Sequence, residues 1–244
     1  MHLISQARTS QTDNPKAATI PMYKLAKRFI DLLIITVALI LLSPIILIVI
    51  AVLLFTGEHE VFYLQKRIGY KNKPFHIWKF ATMLKNSSNI GTGEITVRND
   101  PRVTKFGKFL RLTKINELPQ IINVYSGEMS IVGPRPLMAV SFELYNDNIK
   151  SKIYDSKPGL TGIGSLVFRD EEKIISEAED PRLMYNIIYP YKGELELWYR
   201  DNASTVTDLL IILLTGWSIF FPNKNLAKKY FKNLPARDLE LIVQ

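Results

Sequence analysis

Asn116 and Glu117 stand side by side at the end of a basic segment in which Arg102, Lys105, Lys108, Arg111 and Lys114 recur at every third residue. Cations at that spacing most often form the solvated face of a helix. Here the row runs directly into a carboxylate. Phosphate binding does not need a carboxylate, which would repel the anion, but a carboxylate makes sense if it holds a divalent cation that phosphates share. The tripeptide Pro134-Arg135-Pro136 adds to this reading. Two prolines fix the backbone on either side of Arg135 and keep its guanidinium ready for a bidentate phosphate contact. Asn116 and Glu117 also fall near an expected helix start, with Thr113 as its cap or Pro119 as its first residue. Free N–H groups and the positive end of the helix dipole suit a phosphate at such a start. Taken together, Glu117, the basic row and Arg135 point to a diphosphate.

Other chemistries lack their residues. The chain has no Cys, which excludes disulfides, thiolate metal sites and a Cys nucleophile. It has no G-x-x-x-x-G-K-[ST] loop, no G-x-S-x-G and no His pair at zinc spacing. His2, His59 and His76 are scattered, as expected of surface or packing residues. Gly159, Gly162 and Gly164 miss the dinucleotide fingerprint and read as turn formers that could also admit a backbone to a ligand.

A diphosphate site must be carried by a fold, and the chain of 244 residues is long enough for one sizeable domain plus an appendage. Its net charge of +8 fits nucleic acid, an anionic membrane or phosphorylated substrates. No groove-reading module or stacking surface is evident, and a long apolar block argues against nucleic acid. That block, residues 29–55, carries a single charge, Asp31. About 20 apolar residues suffice to cross a bilayer as helix. Ser43-Pro44 lies near its middle and allows two forms: a kinked span, in which Ser satisfies the freed carbonyl, or a helix-break-helix that enters and leaves by one face. Lys24, Lys27 and Arg28 before the block, and Lys66, Arg67, Lys71 and Lys73 after it, place both flanks on the cytoplasmic side, which favours the second form.

Around these features we expect a mobile tail over residues 1–20, membrane helix over 21–58, a catalytic domain over 59–222 and a basic tail over 223–244. "VFYLQKRIGYKNKPFHIWKF" reads as two strands joined at "YKNKP", and residues 86–101 as a loop. Helix is expected from Thr104, a short helix from Pro119, a turn at "SGE" and a strand at "MSIV". "SFELYNDNIKSKIYDS" reads as helix and "KPGLTGIGS" as loop. The helical stretch over residues 171–202 is expected to be interrupted at Pro181 and Pro190. "TVTDLLIILLTGWSIFF" reads as a packed or interfacial apolar helix.

The stretches "KRFIDLL", "LLSPI", "VFYLQKRIGYKNKPFHIWKFATM", "DPRVTKFGKFLR", "ELPQIINVYSGEMSIVGPRP" and "KPGLTG" resemble the bacterial sugar transferases known as monotopic phosphoglycosyl transferases, over roughly Lys24 to Phe221. The resemblance implies an α+β, mostly helical fold with an N-terminal re-entrant helix and a cytoplasmic globular domain. It implies transfer of a sugar-1-phosphate from a nucleotide diphosphate sugar to a polyprenyl phosphate, with Mg²⁺, at the cytoplasmic face of a bacterial inner membrane, initiating glycoconjugate or exopolysaccharide assembly. Partners on this reading are the two substrates, membrane lipid and downstream glycosyltransferases, with room for a homodimer. Residue by residue, Lys79 matches an active-site Lys, Arg111 a phosphate-contacting Arg, Glu117 the metal ligand and Arg135 the Arg of the Pro-Arg-Pro turn.

Asn116 matches the family's nucleophilic Asp, and there the resemblance fails. A neutral amide is a poor nucleophile and cannot form the acyl phosphate. Three explanations fit. The chain is an engineered inactive variant; or it belongs to a branch with native Asn, as "GSLVFRDEE" in place of the common "GLAQVNGR" favours, using Glu117 or direct attack by the polyprenyl phosphate; or it is silent and serves as a membrane-bound scaffold or nucleotide-sugar binder.

Overall fold

A computed structural model of the chain describes residues 15–85, 87, 100–221 and 226–235. The expected loop over residues 86–101 and the outer parts of both expected tails lie largely outside them. Helix α1 (Pro15–Phe55) is 41 residues long. It therefore begins inside the stretch expected to be a tail. It also runs through Ser43-Pro44 without interruption, which corrects the expected helix-break-helix at the level of secondary structure. The physical reason is local. Pro44 lacks the N–H that would reach the Ile40 carbonyl, and Ser43 Oγ donates to that same carbonyl at 2.9 Å.

The burial of α1 is uneven. Asp31 and Ile35 are buried, as are Val49 and Leu53, whereas Leu39, Ile40, Leu41, Ile45, Leu47 and Ile48 between them are exposed. Both ends of the apolar block are thus docked on the globular body and its middle is not. At the first dock Asp31 accepts from Ser130 Oγ at 2.7 Å and from the Ile131 amide at 3.2 Å. Arg28 donates to the Val124 and Tyr125 carbonyls at 2.6 and 2.9 Å. At the second dock Val49 and Leu53 pack with Phe80 and Leu110.

Strands β1 (Phe62–Ile68) and β2 (Pro74–Phe80) form the expected antiparallel hairpin. Helix α2 (Lys105–Leu112) starts where expected, with Thr104 Oγ1 accepting from the Gly107 amide. Thr113 does not open the next helix: it closes α2, its Oγ1 bonding to the Phe109 carbonyl at 2.8 Å. Lys114, at a left-handed φ of 61°, turns the chain into a 3-10 helix over Ile115–Gln120, and α3 (Ile121–Ser126) follows. Pro119 therefore sits inside helical structure rather than at its start. The "SGE" turn forms, with Gly127 at φ 82°, and β3 (Ser130–Val132) is the expected strand.

Beyond β3 the expectations fail in instructive ways. The segment expected as one helix divides into α4 (Ala139–Phe142), α5 (Asp147–Lys150) and a 3-10 turn at Ile153–Asp155, because Asn146 caps a new start by accepting from the Ile149 amide. The expected glycine loop contains β4 (Gly159–Thr161), parallel to β3, and α6 (Ile163–Val167). A Cβ on Gly159 would lie 2.2 Å from the Gly133 nitrogen, so this approach of two backbones needs glycine. Helix α7 (Glu171–Glu177) is separate from α8 (Pro181–Asn202), as expected at Pro181, which Asp180 caps. Pro190 does not interrupt α8. Helix α9 (Thr205–Phe220), of 16 residues, buries Asp208, Ile211, Leu214 and Ser218. In the expected C-terminal tail, α10 (Ala227–Tyr230) and Phe231 pack into the main core, Phe231 edge-on to Trp198. The described residues are mostly helical, with two small two-stranded sheets.

Candidate active site

Strand alternation starts the site. Arg67 lies opposite Phe75, Gln65 opposite Ile77 and Tyr63 opposite Lys79, so Arg67 and Lys79 share one face of the hairpin. Phe80, one residue on, points to the other side and meets Val49 and Leu53 of α1. Asn123 of α3 fastens β2 to the following layer. Its Oδ1 accepts from the Trp78 amide at 3.0 Å and its Nδ2 donates to the His76 carbonyl at 2.7 Å. Asn116, Pro119 and Gln120 bury themselves in this layer. Glu117, on the next step of the 3-10 helix, is left to face Lys79.

Glu117 Oε1 lies 3.4 Å from Lys79 Nζ and 3.7 Å from Arg135 Nη2. Burial opposes the charge on Glu117, but Lys79, Arg135 and Lys114 outweigh it and hold its pKa at about 2. Lys79 is pushed down to about 8, first by burial and then by Arg67 and Arg135, with Glu117 pulling the other way. Arg67 falls to about 10, through burial and the Arg135 charge. The Glu117 carboxylate pushes Arg135 up. One anion thus faces three cations, and the pocket lined by Arg67, Lys79, Glu117, Gln120, Arg135 and Pro136 carries a positive excess. Side-chain exposures of 16% for Lys79, 27% for Glu117 and 39% for Arg135 leave it open to a ligand.

The Pro-Arg-Pro turn is braced from behind. The Gly159 amide donates to the Pro134 carbonyl at 3.0 Å, and Tyr154 Oη donates to the Arg135 carbonyl at 2.8 Å. Arg67 Nη1 approaches the Pro136 carbonyl at 3.4 Å. The backbone on either side of Arg135 is held, and its guanidinium lies 3.7 Å from Glu117.

Of the residues singled out in the sequence, Lys79, Glu117, Arg135 and Pro136 converge, and Pro134 supports them. Asn116 is adjacent and 7% exposed, and its Oδ1 has no hydrogen-bond partner among the described residues. Arg102, Lys105 and Arg111 are not brought into the pocket lining. Arg102 is buried and committed to Asp100, with Nη2 2.6 Å from Oδ2. Lys105 is exposed on the first turn of α2, and Arg111, on its last turn, lies within electrostatic reach of Asp100. The residue that sequence reasoning missed is Arg67, which it counted only as a flanking charge; the period-2 register with Lys79 was the signal.

For a metal the carboxylate count decides. Among the described residues no group of three or more His, Cys, Asp or Glu side chains gathers to hold an ion. Glu117 is the one carboxylate in the pocket lining. The residues therefore fit a cation shared with substrate phosphates, which Mg²⁺ accepts with one or two carboxylates and water. They do not fit a protein-only cage.

The family model described as bacterial sugar transferase matches residues 22–222. The chain belongs to that family. This sugar transferase is 34% identical over 209 residues to the exopolysaccharide production protein ExoY of Sinorhizobium fredii, covering 80% of this chain and 85% of that one. It is 36% identical over 192 residues to the uncharacterized sugar transferase EpsL of Bacillus subtilis, covering 78% of this chain and 84% of that one. It is 36% identical over 196 residues to the UDP-glucose:undecaprenyl-phosphate glucose-1-phosphate transferase of Klebsiella pneumoniae, covering 80% of this chain but 40% of that longer one. The match spans both the docked ends of α1 and the whole pocket of the sugar transferase.

Proposed function

We propose that this protein is a phosphoglycosyl transferase that moves a sugar-1-phosphate from a nucleotide diphosphate sugar to a polyprenyl phosphate, releasing the nucleoside monophosphate and initiating exopolysaccharide or glycoconjugate assembly. The observation that carries the reading is the adjacency of Lys79 and Phe80. One faces the carboxylate-cation pocket and the other packs on the apolar helix α1. A diphosphate site one residue from a lipid-compatible helix suits a reaction between a soluble nucleotide sugar and a lipid phosphate. Arg67, Lys79 and Arg135 supply the phosphate contacts. Glu117 would hold Mg²⁺, which would supply charge neutralisation to the diphosphate.

Helix α1 is read as re-entrant, with both ends at the cytoplasmic face of the inner membrane. The docking of both ends on one body, with the exposed apolar middle centred on Ser43-Pro44, supports this topology, as do the basic flanks. Cysteines placed in the N-terminal tail and after Phe55 should both be labelled from the cytoplasmic side; labelling of the tail only from outside overturns it.

Asn116 cannot serve as the covalent nucleophile. Its amide N–H groups can donate to a phosphate oxygen, and attack then falls to the polyprenyl phosphate or to Glu117. The same amide supports a second reading, a nucleotide-sugar binder without turnover. The test is incubation of the purified full chain with UDP-glucose, undecaprenyl phosphate and Mg²⁺. Release of UMP with formation of the lipid diphosphate sugar is the expected result. Absence of turnover across a panel of nucleotide sugars, with binding retained, leaves the second reading in place.

A further inference from the structure

One more polar side chain lines the pocket without a task in the reaction proposed above. Gln120 is 5% exposed and belongs to the pocket lining. Its side-chain amide does not cap α3, and it forms no hydrogen bond among the described residues. Buried amides are almost always paired, and one left unpaired opposes folding. Asn116 offers a contrast on the same 3-10 helix. Its Oδ1 is sealed inside the protein, whereas the Gln120 amide is not sealed and borders the pocket.

The 3-10 helix over Ile115–Gln120 explains this placement. Such a helix turns once in about three residues, so side chains at i and i+3 eclipse one another. Glu117 and Gln120 therefore share one face. Opposite them the hairpin contributes Arg67, Ile77 and Lys79, and Arg135 reaches the pocket from the Pro-Arg-Pro turn. The lining thus sets three cations and one carboxylate around the Gln120 amide. In that field the amide carbonyl turns toward the cations, and the NH2 toward an anion that the cations hold. A neutral donor at this position adds a hydrogen bond to a phosphate without adding a charge that would repel a shared Mg²⁺.

We propose that Gln120 is a further phosphate-binding residue of this pocket, donating from Nε2 to a diphosphate oxygen beside Glu117. That the diphosphate belongs to a nucleotide sugar rests on the function proposed above; the contact to a diphosphate does not.

Titration of the full chain in detergent, with Mg²⁺ present, separates these points when inorganic pyrophosphate is one probe and UDP-glucose the other. Gln120→Met keeps the length of the side chain and removes the amide. Pyrophosphate affinity should fall about tenfold, the loss of one hydrogen bond to a charged acceptor. The melting temperature should hold or rise, because the amide has no partner to lose among the described residues. Gln120→Glu sets a like charge against the phosphates, and affinity should fall about a hundredfold. If Gln120→Met does not fold, Gln120→Asn, which withdraws the amide by one methylene, takes its place. Unchanged pyrophosphate affinity with a lower melting temperature assigns Gln120 to packing and overturns the proposal. Tighter Mg²⁺-dependent binding in Gln120→Glu also overturns it, because the position would then hold the cation and not a phosphate. A parent that binds pyrophosphate through Gln120 but no nucleotide sugar upholds the contact and counts against the proposed function.

Discussion

Two clusters of charge in this protein use similar residues to opposite ends. Around Asp208, Lys27 Nζ lies at 2.8 Å, Tyr23 Oη at 2.9 Å and Tyr199 Oη at 2.6 Å, and Tyr199 also reaches the Val132 carbonyl at 3.3 Å. The contacts to Asp208 are all short, and the cluster joins α1 to α8 and α9. Around Glu117, by contrast, the partners stand at 3.4 and 3.7 Å and are partly open to solvent. The first cluster has closed on itself and fastens the long apolar helix α1 to the body. The second keeps an excess of cations that its single carboxylate does not neutralise. A charged cluster that is already fully paired is a fastening; one left short of its complement is a place for a ligand.

Breaking the open cluster should cost activity without stability. Glu117→Gln keeps the shape and removes the charge that would hold the shared Mg²⁺. Turnover should drop by at least about a hundredfold, with the melting temperature within a few degrees of the parent. Unchanged Mg²⁺-dependent turnover would remove Glu117 from its assigned role. Arg135→Lys keeps the charge but loses the planar fork, and kcat/KM should fall about tenfold or more.

Breaking the closed cluster should do the reverse. Asp208→Ala removes the carboxylate shared by Lys27, Tyr23 and Tyr199, at a cost of about 3 kcal/mol. Thermal unfolding should show the loss, and any activity that survives should keep the parent's KM. A raised KM at normal stability would mean that the Asp208 cluster communicates with the pocket.

The contrast also explains what could be read in advance. Glu117, Arg135 and the hairpin were legible because each is local: a carboxylate in a basic row, an Arg between prolines, two alternating runs. Lys79 came only from family resemblance, since a single Lys in a strand carries no pattern. Arg102 was misplaced because the periodicity of the basic row says which residues share a face, not which already hold a partner; Asp100, two residues away, claims its guanidinium. The parallel pairing of β3 with β4 joins residues about 29 apart and left no local trace, so "KPGLTGIGS" looked like loop. Pro190 misled in the other direction, since packing of α8 on its neighbours overrides a local breaker. Glu196 gave no signal at all: which glycines approach it is a tertiary fact.

A third kind of charged group sharpens the comparison, one buried with neither full pairing nor solvent. Burial holds the Glu196 carboxyl at about 8, far above its ordinary value near 4.5. Between those two values the folded chain binds a proton that the unfolded chain has released. Stability contributed by the neutral carboxyl is therefore fully present below the unfolded value and is lost progressively as pH rises towards 8, at up to about 1.4 kcal/mol per pH unit. Lys192 and the amides of Gly164 and Arg135 oppose the shift and are already included in that value. Glu196→Gln has no proton to bind, so its stability should decline less between pH 5 and 8. Denaturant midpoints of parent and variant measured across that range should diverge in the variant's favour with rising pH. Parallel curves would mean that Glu196 is charged in the folded protein throughout, paired by Lys192 rather than held neutral behind the Arg135 turn.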